Sequence, residues 1–109
     1  MPTQIAVLSN LRSLASGSIS GTYTAVGVPF ESPVRLICFT NNTDGDMFFS
    51  DDAVNNKLFI PKGSFKLFDM TTNWVNAFYF VFRVGTQMYV KQSSAPTTGS
   101  VYIEIVTGS

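Results

Sequence analysis

"VRLICFTNNTDGDMFFS", residues 34–50, decides the fold class. Two runs rich in β-branched and aromatic residues, at 34–41 and 46–50, flank the polar hexad "NNTDGD" at 41–46. Asn, Asp and Gly accept left-handed backbone angles and bond to nearby backbone, so the hexad reads as a hairpin turn. The same grammar extends outward in both directions. Strands are expected at 3–9, 18–26, 57–60, 64–69, 73–83, 86–92 and 100–107. "SDDAVNNK" (50–57) and "SSAPTTGS" (93–100) are polar loops. "PKGS" (61–64) places Pro61 first and Gly63 third, as a type II turn requires. The exception is "SNLRSLAS" (9–16), which reads as one helical turn capped by Ser9.

Short strands with turns every 8 to 12 residues, and no long helical period, predict an all-β chain. The expected architecture is a jelly-roll-like antiparallel β-sandwich of about eight strands. Residues 1–16 are expected to form an N-terminal arm, and residues 17–109 a single β-sandwich domain. A chain of 109 residues can bury a core without metal or disulfide staples.

"AFYFVFRV" (77–84) is the most apolar run. As a strand it sends Phe78, Phe80, Phe82 and Val84 to a core face. Ala77, Tyr79, Val81 and Arg83 go to the other. That second face is mostly apolar too and needs a cover, either a second sheet or another chain. In "TQIAVLSNL" (3–11), Ile5 and Val7 fall on one side and Gln4, Ala6 and Leu8 on the other. A short apolar strand near a terminus suits addition to the edge of another sheet, the alternative being pairing within its own sandwich. Ile5, Val7, Leu8, Tyr79 and Val81 are therefore the candidate partner-binding residues.

Charged residues make up only 13% of the chain, about half the usual quarter, which favours contact with partners or a Ser/Thr/Asn-rich surface. Lys+Arg and Asp+Glu are both 7 and the basic residues are scattered, so no nucleic-acid partner is expected. No stretch approaches the roughly 18 apolar residues of a membrane span. The N-terminal run lacks a basic lead and is a poor secretory signal, so synthesis in the cytoplasm is expected. Cys38, the single cysteine, sits between Ile37 and Phe39 and reads as a small buried hydrophobe.

With no histidine, triads that use imidazole as base are excluded, as are the usual zinc and iron sites. Glycines occur singly, so no phosphate-cradling loop is present. Asp44, Asp46, Asp51 and Asp52 are the remaining catalytic or cation-binding candidates. They lack the Gly and Glu spacing of a calcium loop and read as turn formers. Trp74, Tyr23, Tyr79, Tyr89 and Tyr102 offer stacking surfaces for a glycan, or ordinary packing. No enzymatic activity, cofactor or metal is expected.

Four phrases carry a resemblance: "FTNNTDGDMFFSDD" (39–52), "FIPKGSFKLFDMTTN" (59–73), "GTQMYVKQ" (85–92) and "PTTGSVYIEIV" (96–106). Over about residues 15 to 107 the chain resembles the decoration (cement, or staple) proteins of epsilon-fifteen-like short-tailed bacteriophages. The resemblance implies a jelly-roll-like sandwich, commonly a homodimer, on the outer capsid surface of the virion. There it would clamp neighbouring subunits of the major capsid protein. A tail or connector subunit, or a carbohydrate-binding module, is the alternative on this kind of fold.

Overall fold

A computed structural model describes residues 6–32, 34–69 and 84–108. They form an antiparallel β-sandwich. The strands are β1 (Ala6–Leu8), β2 (Arg12–Ala15), β3 (Thr24–Ala25), β4 (Val34–Thr43), β5 (Met47–Ser50), β6 (Leu58–Ile60), β7 (Phe65–Asp69), β8 (Tyr89–Gln92) and β9 (Gly99–Gly108). Sheet A has the order β1–β9–β4–β7, with β2 also on the β9 edge. Sheet B has the order β3–β8–β5–β6. The strand expected at 73–83, including most of "AFYFVFRV", lies outside the described residues.

The core sits between the sheets. Along β9, Val101, Ile103, Ile105 and Thr107 alternate inward while Ser100, Tyr102, Glu104 and Val106 face out. β4 begins with Val34 buried and then buries Ile37, Phe39, Asn41 and Thr43. The change of parity falls where the register against β9 slips between Val34 and Leu36, a bulge that lets both halves of the strand turn apolar side chains inward. Sheet B contributes Met47, Phe49, Ile60 and Val90, all fully buried.

The hexad at 41–46 does not make a hairpin. β4 pairs with β7 and β9, whereas β5 pairs with β6 and β8. The turn therefore carries the chain from one sheet to the other. Buried Asn41 fixes this corner. Its Nδ2 donates to the Gly45 carbonyl at 2.8 Å and the Ile60 carbonyl at 2.9 Å. Its Oδ1 accepts from the Thr43 amide at 3.1 Å and the Thr43 hydroxyl at 2.6 Å. A side chain at position 45 would run into the Ser94 carbonyl, so glycine is required there.

"PKGS" is a type II turn: Ser64 N donates to the Pro61 carbonyl at 3.1 Å and Gly63 has φ +71°. It too crosses between sheets, from β6 to β7. "SDDAVNNK" is the one that closes a hairpin, since β5 and β6 are paired neighbours. Asp52 organises it by accepting from the Ser50 hydroxyl at 2.7 Å and from the Val54 and Asn55 amides at 2.9 Å each.

The N-terminal expectations need correction. "SNLRSLAS" is not helical: Arg12–Ala15 is a strand followed by a short 3-10 turn at Ser16–Ser18. The described part of the expected arm, β1 and β2, pairs antiparallel with β9 in the same chain. The reason is Arg12, whose side chain points inward and is only 4% exposed. Its Nε donates to the Val28 carbonyl at 3.0 Å, and its Nη groups donate to the carbonyls of Asn10 (3.1 Å) and Pro29 (3.3 Å). The guanidinium also lies over the Phe30 ring, 5.3 Å from its centroid. Of the strand expected at 18–26, only Thr24–Ala25 pairs.

Candidate partner-binding face

Cross-strand partners share a face, so the register defines what sheet A presents to solvent. One row reads Glu104, Cys38, Leu67 across β9, β4 and β7. A second reads Ser13, Tyr102, Thr40, Phe65. A third begins Leu8, Val106, Leu36. The side chains at the two lateral margins are the most open: Leu8 is 82% exposed, Phe65 64% and Leu67 56%. Cys38 is half-buried in the middle, which corrects the core position expected for it; its Sγ lies 3.8 Å from the Thr40 hydroxyl.

Of the five candidate residues, Val7 and Leu8 are described, both in β1. Leu8 belongs to this open face. Val7 is half exposed and opposite Thr107, which points inward. Ile5, Tyr79 and Val81 lie outside the described residues. Phe65 and Leu67 were missed as candidates. Their signal is the phrase "FKLFD", where Phe65 and Leu67 share one side and Phe68 takes the other. Both sides contain large apolar groups, so alternation alone does not say which is inside.

The carboxylates are held by their own loops. Asp44 accepts from the Thr97 hydroxyl and amide and the Thr98 amide, tying the β4–β5 corner to the loop before β9. Those donors, the Thr97 hydroxyl foremost, hold its pKa down at about 2. Asp52 is lowered as well, by Ser50 first and then by the Asn55 and Val54 amides. Asp46 accepts from the Lys62 amide at 3.0 Å, and Asp51 pairs with the Lys57 ammonium at 2.7 Å. Among the described residues no group of three potential ligands is arranged to hold a metal ion.

On sheet B the outward residues Phe59, Phe48 and Lys91 form a row. The Lys91 ammonium sits 4.9 Å from the Tyr23 ring centroid and 5.8 Å from that of Phe48. The Tyr23 hydroxyl is 2.5 Å from Asn56 Oδ1. The Phe48 and Phe59 planes are inclined at 53°, which breaks the coplanar platform that stacking on a sugar uses. Trp74 and Tyr79 lie outside the described residues. Between the sheets, an apolar cleft of about 210 Å³ is lined by Phe39, Phe49, Leu58, Phe68 and Met88, with the Asp51–Lys57 pair at its mouth.

No helix among the described residues is long and apolar enough to cross a membrane. Comparison with known protein families, curated proteins and solved structures found no match. On the outer side of sheet A the exposed apolar side chains Leu8, Phe65 and Leu67 stand at the margins of a mixed, half-buried centre.

Proposed function

We propose that the chain is a non-enzymatic structural protein of a bacteriophage virion. On this reading it is a jelly-roll-like homodimer that decorates the outer capsid surface. It cements the shell by binding neighbouring major capsid protein subunits. The observation that carries the reading is the outer margin of sheet A, where Phe65 and Leu67 of β7 are more than half exposed in a chain with few charges. Large apolar side chains left open on the rim strand of a sheet fit a protein whose work is contact. The strand-and-turn phrases at 39–52, 59–73, 85–92 and 96–106 point to the same class.

The test is a protein inventory and cryo-microscopy of purified particles of the phage that encodes the chain. The expected result is many copies per particle, with density outside the capsid shell at contacts between major capsid subunits. Density on the tail or connector would move the assignment to that part of the virion. Absence from the particle overturns it.

A further inference from the structure

The cleft between the sheets has a size and a rim that suit one kind of guest. Its floor is Phe39, Phe49 and Met88, all buried, and its walls are Leu58 and Phe68, both half-buried. The Asp51–Lys57 pair stands at the mouth. We propose that this cleft is an anchor pocket for a single aromatic side chain of another protein, flanked in its own chain by lysine or arginine. The inference rests on the reading of the chain as a protein of contacts and adds what it grips.

Size selects a side chain. The cleft encloses about 210 Å³. An apolar cavity of about 150 Å³ lined by Leu, Ile and Phe accepts one benzene. Sites for whole small molecules occupy roughly 300–1,000 Å³. One ring therefore fills this cleft, and protein interfaces draw much of their energy from aromatic anchors seated in such pockets. The lining favours a ring over an aliphatic group. Phe39 already makes edge contacts with Phe49 and Phe68, at centroid distances of 5.3 Å and 6.0 Å, and a guest ring extends that cluster. Met88 adds a thioether, which packs well against ring edges.

Charge selects what flanks the ring. Lys57 Nζ lies 2.7 Å from Asp51 and 3.6 Å from Asp52, so the mouth carries two carboxylates to one ammonium. Asp52 is engaged by its own loop, through the Ser50 hydroxyl and the Val54 and Asn55 amides. Asp51 is the carboxylate that lines the cleft. The surplus charge is negative, so a basic neighbour beside the ring is attracted and an acidic one repelled. Pairs this exposed contribute little energy, so the ring supplies the grip and the charge supplies the choice.

The experiment uses the full chain with isotope-labelled methionine methyls read by NMR. The Met88 signal is assigned by its loss in Met88→Leu. The probes are toluene and three blocked tripeptides: acetyl-Lys-Phe-Lys-amide, acetyl-Glu-Phe-Glu-amide and acetyl-Lys-Ala-Lys-amide. Toluene and the Lys-Phe-Lys peptide are expected to shift the Met88 methyl and to saturate. The Ala peptide should leave it unmoved, and the Glu-Phe-Glu peptide should bind about threefold more weakly than its basic counterpart. Leu58→Trp places a ring in the cleft and should abolish the shifts. Asp51→Asn should erase the difference between the two Phe peptides and leave toluene binding unchanged. A response to toluene but to no peptide would overturn the side-chain pocket, and silence with every probe would overturn the cleft as a site. Equal binding of the two Phe peptides to the wild type would overturn the basic flank. The wild-type titrations decide the matter even if Leu58→Trp does not fold. Particles that carry the chain on the capsid, together with a cleft that no probe enters, would sink this inference and leave the structural role standing. Probe entry with the chain missing from particles would do the reverse.

Discussion

Phe39 of sheet A and Phe49 of sheet B meet edge to face across the core, with ring centroids 5.3 Å apart and planes at 61°. Phe68 adds a second edge contact to Phe39 at 6.0 Å. Both Phe39 and Phe49 are fully buried, so this pair is a direct tie between the sheets. Phe49→Ala removes the ring and leaves a hole beside the existing apolar cleft. The expected cost is about 3–5 kcal/mol, enough to unfold a chain of ordinary stability at moderate temperature. Thermal or urea melting against the wild type measures it. A loss under 1 kcal/mol would mean that the two rings do not hold the sheets together.

Asn41 carries a different kind of tie. Its amide uses both ends inside the protein, and its neighbours Gly45 and Ile60 belong to the corner and to sheet B. Asn41→Ala takes the side-chain partner from the Ile60 carbonyl and the Thr43 amide, while the Thr43 hydroxyl still donates to the Gly45 carbonyl at 2.9 Å. The expected loss is about 2–4 kcal/mol. Asn41→Asp keeps the shape and the acceptor but loses the amide donors, and should be as damaging. If Asn41→Asp melts with the wild type, the donors to Gly45 and Ile60 are not what holds the corner.

These two positions also show what a sequence can and cannot disclose. The strands around them were legible: 34–41, 46–50, 57–60, 64–69 and 100–107 became β4, β5, β6, β7 and β9 with ends shifted by two residues or fewer. Composition marks where a chain extends and where it turns. It does not mark which strand pairs with which, because a turn that joins neighbours and a turn that changes sheets use the same Asn, Asp and Gly. "NNTDGD" was thus read as a hairpin, although the buried amide of Asn41 makes it a corner. The same limit hid the candidate face: which side of "FKLFD" is inside depends on its pairing with Ile37 and Phe39, far away in sequence. In "SNLRSLAS" the local pattern favours a helical turn and the strand wins only through distant partners, since carbonyls that bind Arg12 come from residues 28 and 29.

Arg12 makes the N-terminal segment part of the fold. Its stem packs where glycine is demanded: a Cβ at Gly27, which has φ +70°, would come within 2.5 Å of Arg12 Cγ. Arg12→Ala should cost about 3 kcal/mol through the lost charge-assisted bonds to the 27–30 loop. Gly27→Ala should be comparably harmful, through both the backbone angle and the clash. Deleting residues 2–10 removes β1 and leaves β2, so a folded protein with a lower melting temperature is expected. Deleting residues 2–15 should abolish cooperative melting. A 2–15 deletion that melts like the wild type would return the segment to the status of a free arm.

The last prediction concerns acid. The Asp44 carboxylate has a pKa lowered to about 2 from an ordinary value of 3.8, with the Thr97 hydroxyl as the largest cause, and Asp52 is lowered in the same direction. A carboxyl that is more acidic when folded stabilises the native state fully above its unfolded pKa. That contribution fades as pH falls below about 4 and is gone once the folded group is protonated too. Both carboxylates are on the surface, so salt and water screen the effect. The melting temperature should therefore hold steady from neutral pH to about 5 and then fall toward pH 2. Asp44→Asn is expected to start lower at neutral pH and to lose less over the acid range, because one of the two titrating groups is gone. Thr97→Val should do the same by removing the principal donor, and the two changes together should be no worse than Asp44→Asn alone. Parallel acid limbs for wild type and Asp44→Asn would show that the bond between the corner and the 93–98 loop does not contribute to folding.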